Sequence, residues 1–135
     1  MIITDITQID NMAERMFGHI PNLITIDMND YNRIKSSSTY LNATSIKLPL
    51  LVNSGINVFI DAVAGFSKKG ARKVLLQICG VSSSLEVHNI KFNEMCIILR
   101  IIEEHFGKVD IIWGLSDRKT TETYGYEINI IVGYK

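Results

Sequence analysis

Gly70-Ala71-Arg72-Lys73-Val74-Leu75-Leu76-Gln77-Ile78-Cys79-Gly80 is the stretch from which the fold of this chain can be read. Its middle, Lys73 to Cys79, is almost continuously apolar, the pattern of a strand in a central position and covered on at least one face. A basic turn, Ser67 to Gly70, leads into it. After a polar segment from Gly80 to Asn89, Phe92 to Phe106 has the clearest helical pattern of the chain, with Met95, Ile98, Leu99 and Ile102 on one stripe and Gly107 as the stop. Val109 to Leu115 (VDIIWGL) is a second apolar strand. Strand, helix and strand in this order predict a parallel pair joined by a right-handed crossover.

Upstream, Asp5 to Ile20 carries Ile6, Ile9, Ala13, Met16, Phe17 and Ile20 at helical spacing, with Thr4 or Asp5 as cap, until Gly18 and Pro21 break the pattern. The short apolar run Leu23 to Ile26 leads to Asp27, an N-cap for a helix reaching about Ser37, with Asp30 in its first turn. Ser36 to Ser38 form a loop, and Tyr40 to Leu48 read as a strand with Leu41, Ala43, Ser45 and Lys47 on one face, ended by Pro49. Asn53 or Ser54 caps a further helix with Ile56, Phe59, Ile60, Val63 and Phe66 inward, closed by Gly65. Downstream of the second apolar strand, a threonine-rich connection from Asp117 to Gly125 leads to an alternating terminal strand, Tyr126 to Val132. The last two strands are expected to pair antiparallel. The predicted fold is α/β (α+β): a two-layer sandwich with a four-stranded mixed sheet and helices on one face, preceded by an N-terminal helix and an acidic loop. Residues 1–135 are expected to form one domain, of which 1–37 supplies a helix, the acidic loop and a second helix.

A length of 135 residues with 47% hydrophobic and 21% charged residues suits one packed core. Fourteen basic residues balance 14 acidic ones, so the chain as a whole lacks the charge of a non-specific nucleic-acid binder. Nucleic acid and membrane are therefore not expected as partners. No apolar run approaches the roughly 20 residues of a membrane helix. The opening MIITDITQIDN lacks the pattern of a secretory signal. Cys79 and Cys96 sit in apolar runs, where buried free thiols are expected, and His19, His88 and His105 show no metal-binding spacing. A reducing cytoplasm is the expected location.

Motifs for chemistry are sparse. Gly65 to Arg72 has the glycine spacing of a phosphate-binding loop but lacks Lys-Ser/Thr after the second glycine, and it runs from helix to strand. Ser82, Ser83 and Ser84 with His88 read as a solvated loop, and Lys68, Lys69, Arg72 and Lys73 as a solvated basic turn. Trp113 reads as sheet packing. Asp27 and Asp30 have two readings: a helix cap, or two carboxylates able to orient a nucleophilic water.

Several segments in order resemble the C-terminal domain of the bacterial tubulin homologue FtsZ. Leu23 to Ile34 (LITIDMNDYNRI) is similar to the family's LINVDFADVKTI, Gly70 to Gly80 to its GARGVLVNITGG strand, Asp110 to Gly114 to ANIIWG, and Tyr126 to Ile130 to RVTVIATG. The resemblance implies a cell-division or filament-assembly role. Asp27 and Asp30 would be the catalytic acidic residues, completing a partner's GTPase site, although Thr25 and Asn29 stand where the family has asparagine and alanine. With no nucleotide-binding domain present, the chain would bind no cofactor alone, would meet GTP only through a tubulin/FtsZ-family subunit, and would not be an enzyme alone. Alternatives are a scaffold self-assembling through Tyr126 to Val132 as an edge strand, or a fragment of a longer FtsZ-like GTPase.

Overall fold

The computed structural model describes residues 2–18, 22–24, 26–48, 54–82, 92–119 and 126–135. In chain order the elements are α1 (Ile6–Gly18), β1 (Asn22–Ile24), α2 (Met28–Ser36), β2 (Tyr40–Leu48), α3 (Ser54–Ala64), β3 (Ala71–Ser82), α4 (Phe92–Phe106), β4 (Asp110–Lys119) and β5 (Tyr126–Tyr134). The expected α+β architecture with a mixed sheet is present, and the four expected strands are joined by the three-residue β1 at an edge.

The sheet runs β1-β4-β3-β5-β2, so β3 is central as its apolar run requires. β3 and β4 pair in parallel across the α4 crossover. β5 does not pair with β4. It inserts between β3 and β2 and is antiparallel to both, and all nine of its residues are buried. The expected β4–β5 pairing and the idea of β5 as a self-assembling edge are both corrected here: an exposed row of backbone donors and acceptors belongs to an edge strand, and both rows of β5 are already paired. β2 is one edge, and Ile3 caps part of it by exchanging hydrogen bonds with Ala43 (2.6 and 2.9 Å).

Strand alternation then divides the core in two. On one face Val74, Leu76, Ile78, Ile128, Ile130 and Val132 meet Phe59, Val63, Met95, Ile98 and Ile102 of α3 and α4, the sandwich expected from the sequence. Trp113 packs against this side. On the other face Leu41, Ala43, Leu75 and Ile131 meet Ile9, Met12, Ala13 and Met16 of α1 and Tyr31 and Ile34 of α2. The N-terminal helices expected to precede the sandwich thus cover its second face. Within α1 the buried stripe includes Met12, while Ile6 is exposed; in α3, Ile60 is exposed.

Local signals explain the boundaries. Gly107, at φ 74°, donates its N–H to the Glu103 carbonyl and stops α4 in the left-handed conformation that glycine accepts without steric cost. Gly70, at φ 81°, makes the turn into β3. Pro21, Thr25, Pro49, Asn53, the serine loop with Ser83, Ser84 and His88, and most of the threonine-rich connection lie outside the described residues.

Candidate functional site

The face of the sheet under α1 and α2 changes character along the strands. One row across β2, β5, β3 and β4 is apolar: Ala43, Ile131, Leu75 and Ile112. The next is Ser45, Asn129, Gln77 and Gly114, and the next Lys47, Glu127, Cys79 and Ser116. Because side chains alternate across a strand, these polar residues share one face.

The first polar row is a relay. Ser45 Oγ donates to Asn129 Oδ1 (2.6 Å), Asn129 Nδ2 donates to Gln77 Oε1 (3.0 Å), and Gln77 Nε2 donates to the Met16 carbonyl in the last turn of α1 (2.7 Å). Gln77 is fully buried and Asn129 nearly so, whereas Ser45 is exposed at the β2 edge. In the second row Cys79 Sγ and Ser116 Oγ lie 2.8 Å apart within hydrogen-bonding reach, and both residues are buried. Glu127 is 7% exposed and Lys47 open to solvent, and both have interactions within the chain. Burying amides and a carboxylate is costly unless each is compensated, and the neighbouring apolar row shows how the same position is filled where stability alone is needed.

The sequence-predicted pair stands elsewhere, at the start of α2. Asp27 Oδ1 accepts from the N–H groups of Asn29 (2.9 Å) and Asp30 (3.3 Å), and Asp30 Oδ2 accepts from the Asp27 N–H (2.9 Å). This is a reciprocal capping box, which satisfies backbone donors that a helix start leaves orphaned. The structure brings the two carboxylates together around that cap, and neither joins the polar rows. α2 is tied to α1 by Asp10, whose Oδ1 accepts from the Tyr31 hydroxyl (2.5 Å) and from Lys35 Nζ (3.1 Å). The Tyr31 hydrogen bond, helped by Lys35, holds the Asp10 carboxyl below its ordinary value against the opposing effect of burial. Burial first, and then Asp10, pushes the Tyr31 phenol up.

Of the two thiols, Cys79 is buried as expected, whereas Cys96 is exposed on α4; neither is in a disulfide. Among the described residues no three His, Cys, Asp or Glu side chains converge as a metal site. Nor is any described helix long and apolar enough to cross a membrane.

No protein-family model and no curated relative matches the chain. Solved structures match in part. Thiamine monophosphate kinase from Aquifex aeolicus is 11% identical over 80% of this chain and 40% of its own, with a TM-score of 0.39. A HypE–HypF complex matches at 13% identity over 94% and 42%, TM-score 0.39. HypE of E. coli, a hydrogenase maturation protein, matches at 10% over 96% and 43%, TM-score 0.40. The chain thus spans about two fifths of the length of these structures. Likenesses at this level assign it no family and no activity.

The resemblance to FtsZ is not upheld: no family model matches the chain, and the solved structures that match it in part are a thiamine monophosphate kinase and HypE. The cell-division and filament role and the tubulin-family partner fall with it. The motifs behind that resemblance are apolar strand runs and a capped helix start, features that any β-α-β unit with this core requires.

The residues of this candidate site that the sequence reading did not nominate are Ser45, Lys47, Gln77, Ser116, Glu127 and Asn129. Their signal is a polar residue inside an otherwise apolar central strand (Gln77) and polar residues two apart in the last strand (Glu127 and Asn129).

Proposed function

We propose that this chain is a binding module for a small polar molecule, seated over the two polar rows and entering from the β2 edge. The observation that carries this reading is the buried polar floor on four adjacent strands, open to solvent at Ser45 and Lys47. The floor also lies toward the C-terminal ends of the parallel pair β3 and β4, the side on which open α/β sheets take their ligands. A fitting ligand has a donor or cationic group for Glu127 and an acceptor or anionic group for Lys47. It replaces contacts that these side chains now make within the chain.

The test combines native mass spectrometry of the purified chain, to find a co-purifying molecule, with thermal-shift measurements against free amino acids, nucleosides and small carboxylic acids. A true ligand at about 100 times its dissociation constant adds about 2.7 kcal/mol, or roughly 10 °C for a domain of this size. Glu127→Gln and Lys47→Met should remove that shift while leaving a folded protein. A silent panel together with an empty mass spectrum would reduce the polar rows to an anchor for α1.

A further inference from the structure

At the opposite end of the sheet from the polar rows, Lys68, Lys69, Arg72, Lys73, Lys108 and Lys135 gather six of the 14 basic residues of an overall neutral chain. Three segments bring them together. The turn through Gly70 enters β3, the turn through Gly107 enters β4 beside it with Lys73 opposite Asp110, and the Lys135 N–H donates to the Gly70 carbonyl (2.9 Å). Asp110 is the one acid on these segments, and Glu103 and Glu104 stand on the last turn of α4. Among the described residues, none of the six cations is held in an ion pair. All are exposed except Lys73, which is half-buried.

Two features shape this end beyond its charge. Ala71 opposes Tyr134 and Lys73 opposes Gly133, so Arg72 is the extra residue of a β-bulge, a device that re-aims a side chain off the ladder. Arg72 and Lys108 then line an open groove of about 420 Å³ with Ala71, Val109 and Asp110. In the same cross-strand row Tyr40 opposes Tyr134, about 10 Å from Ala71 by the interstrand spacing. The Tyr40 ring stacks on that of Tyr134 at 4.8 Å and 3°, and Tyr40 is 49% exposed. Its ring is therefore held flat from beneath with its other side toward solvent.

Cations on two adjacent loops beside a pre-oriented exposed aromatic ring are the pairing that binds a phosphate backbone and stacks a base. We propose that this end of the sheet binds single-stranded nucleic acid, with Arg72 and Lys108 on phosphates and Tyr40 under a base. An acidic peptide satisfies the cations but gives the Tyr40 face nothing to stack, and a duplex keeps its bases stacked on one another.

The experiment is fluorescence anisotropy of the purified chain with labelled single strands of about 12 nucleotides, RNA and DNA. With about four phosphates neutralised, affinity should fall about 50-fold between about 50 and 200 mM salt. Arg72→Ala with Lys108→Ala should shrink that fall to about 7-fold. Tyr40→Leu should weaken binding by about 5- to 150-fold, and Tyr40→Phe should retain it. Arg33→Ala on α2 should change nothing, and circular dichroism should show every variant folded. The proposal is overturned by no binding at the lower salt. It is equally overturned by duplex or polyglutamate binding as well as the single strand, or by binding indifferent to Tyr40→Leu.

Discussion

Replacing Gln77 by leucine is the sharpest probe of the polar floor. Gln77 is fully buried, and its two amide atoms serve Met16 and Asn129. Leucine fills a similar volume but leaves the Met16 carbonyl and Asn129 Nδ2 without those partners. Each of the two stranded groups costs about 1–3 kcal/mol, and the apolar side chain returns about 1–2 kcal/mol, so the midpoints leave a net loss of about 2.5 kcal/mol. Against a total stability of about 5–15 kcal/mol this is a large fraction. Urea unfolding should show it as a midpoint shift of about 1–2 M with an unchanged slope. Asn129→Leu breaks the same bond from the other side, so the double variant should be more stable than the sum of the two losses by about 0.5–3 kcal/mol. A Gln77→Leu protein within about 0.5 kcal/mol of the parent, or strictly additive losses, would refute the relay as an energetic unit.

Other parts of the molecule make their own demands on experiment. Asp27→Ala should cost about 0.5–2 kcal/mol through the lost cap of α2, read by chemical denaturation. Tyr31→Phe should let the Asp10 carboxyl titrate closer to its ordinary 3.8 in an NMR titration; because the folded value is depressed, the stabilisation it reports is present above that pH and is lost as pH falls through the folded value. Tyr31 and Tyr126 are pushed up and Tyr134 is pushed up to about 12, in each case chiefly by burial, so stability should hold below pH 10.0 and decline above it as the unfolded phenols ionise, followed by tyrosinate absorbance. A thiol reagent should modify Cys96 alone in the native protein and Cys79 only after denaturant is added.

Elements with a complete local signal are legible from their residues alone. Phe92–Phe106 has an apolar stripe and a glycine stop, and Tyr40–Leu48 carries Leu41 and Ala43 on one face and is followed by a proline; both ranges agree with the structure. Neighbourhood is not legible in this way. Glu127 and Asn129 alternate with isoleucines, a pattern that normally means one face in water, yet β5 is central and both residues are buried. Insertion of β5 between β2 and β3 depends on contacts about 50 to 90 residues apart in sequence, which local periodicity does not encode. The candidate site escapes sequence reasoning for the same reason. Its members come from four strands, and only the registers place Ser45, Asn129 and Gln77 in one row. Asp27 and Asp30, three residues apart, are legible because a capping box is a local device.

The position of β5 also dictates a schedule for the growing chain. As residues leave the ribosome, β2 and β3 are each made with one long side waiting for a strand that emerges last among those described. Until Tyr126–Tyr134 arrives, the nascent sheet is two separate pieces with open inner edges, held together by helices alone. Such a chain should depend on chaperone protection late in synthesis and fold slowly once released, because its decisive pairings are distant in sequence.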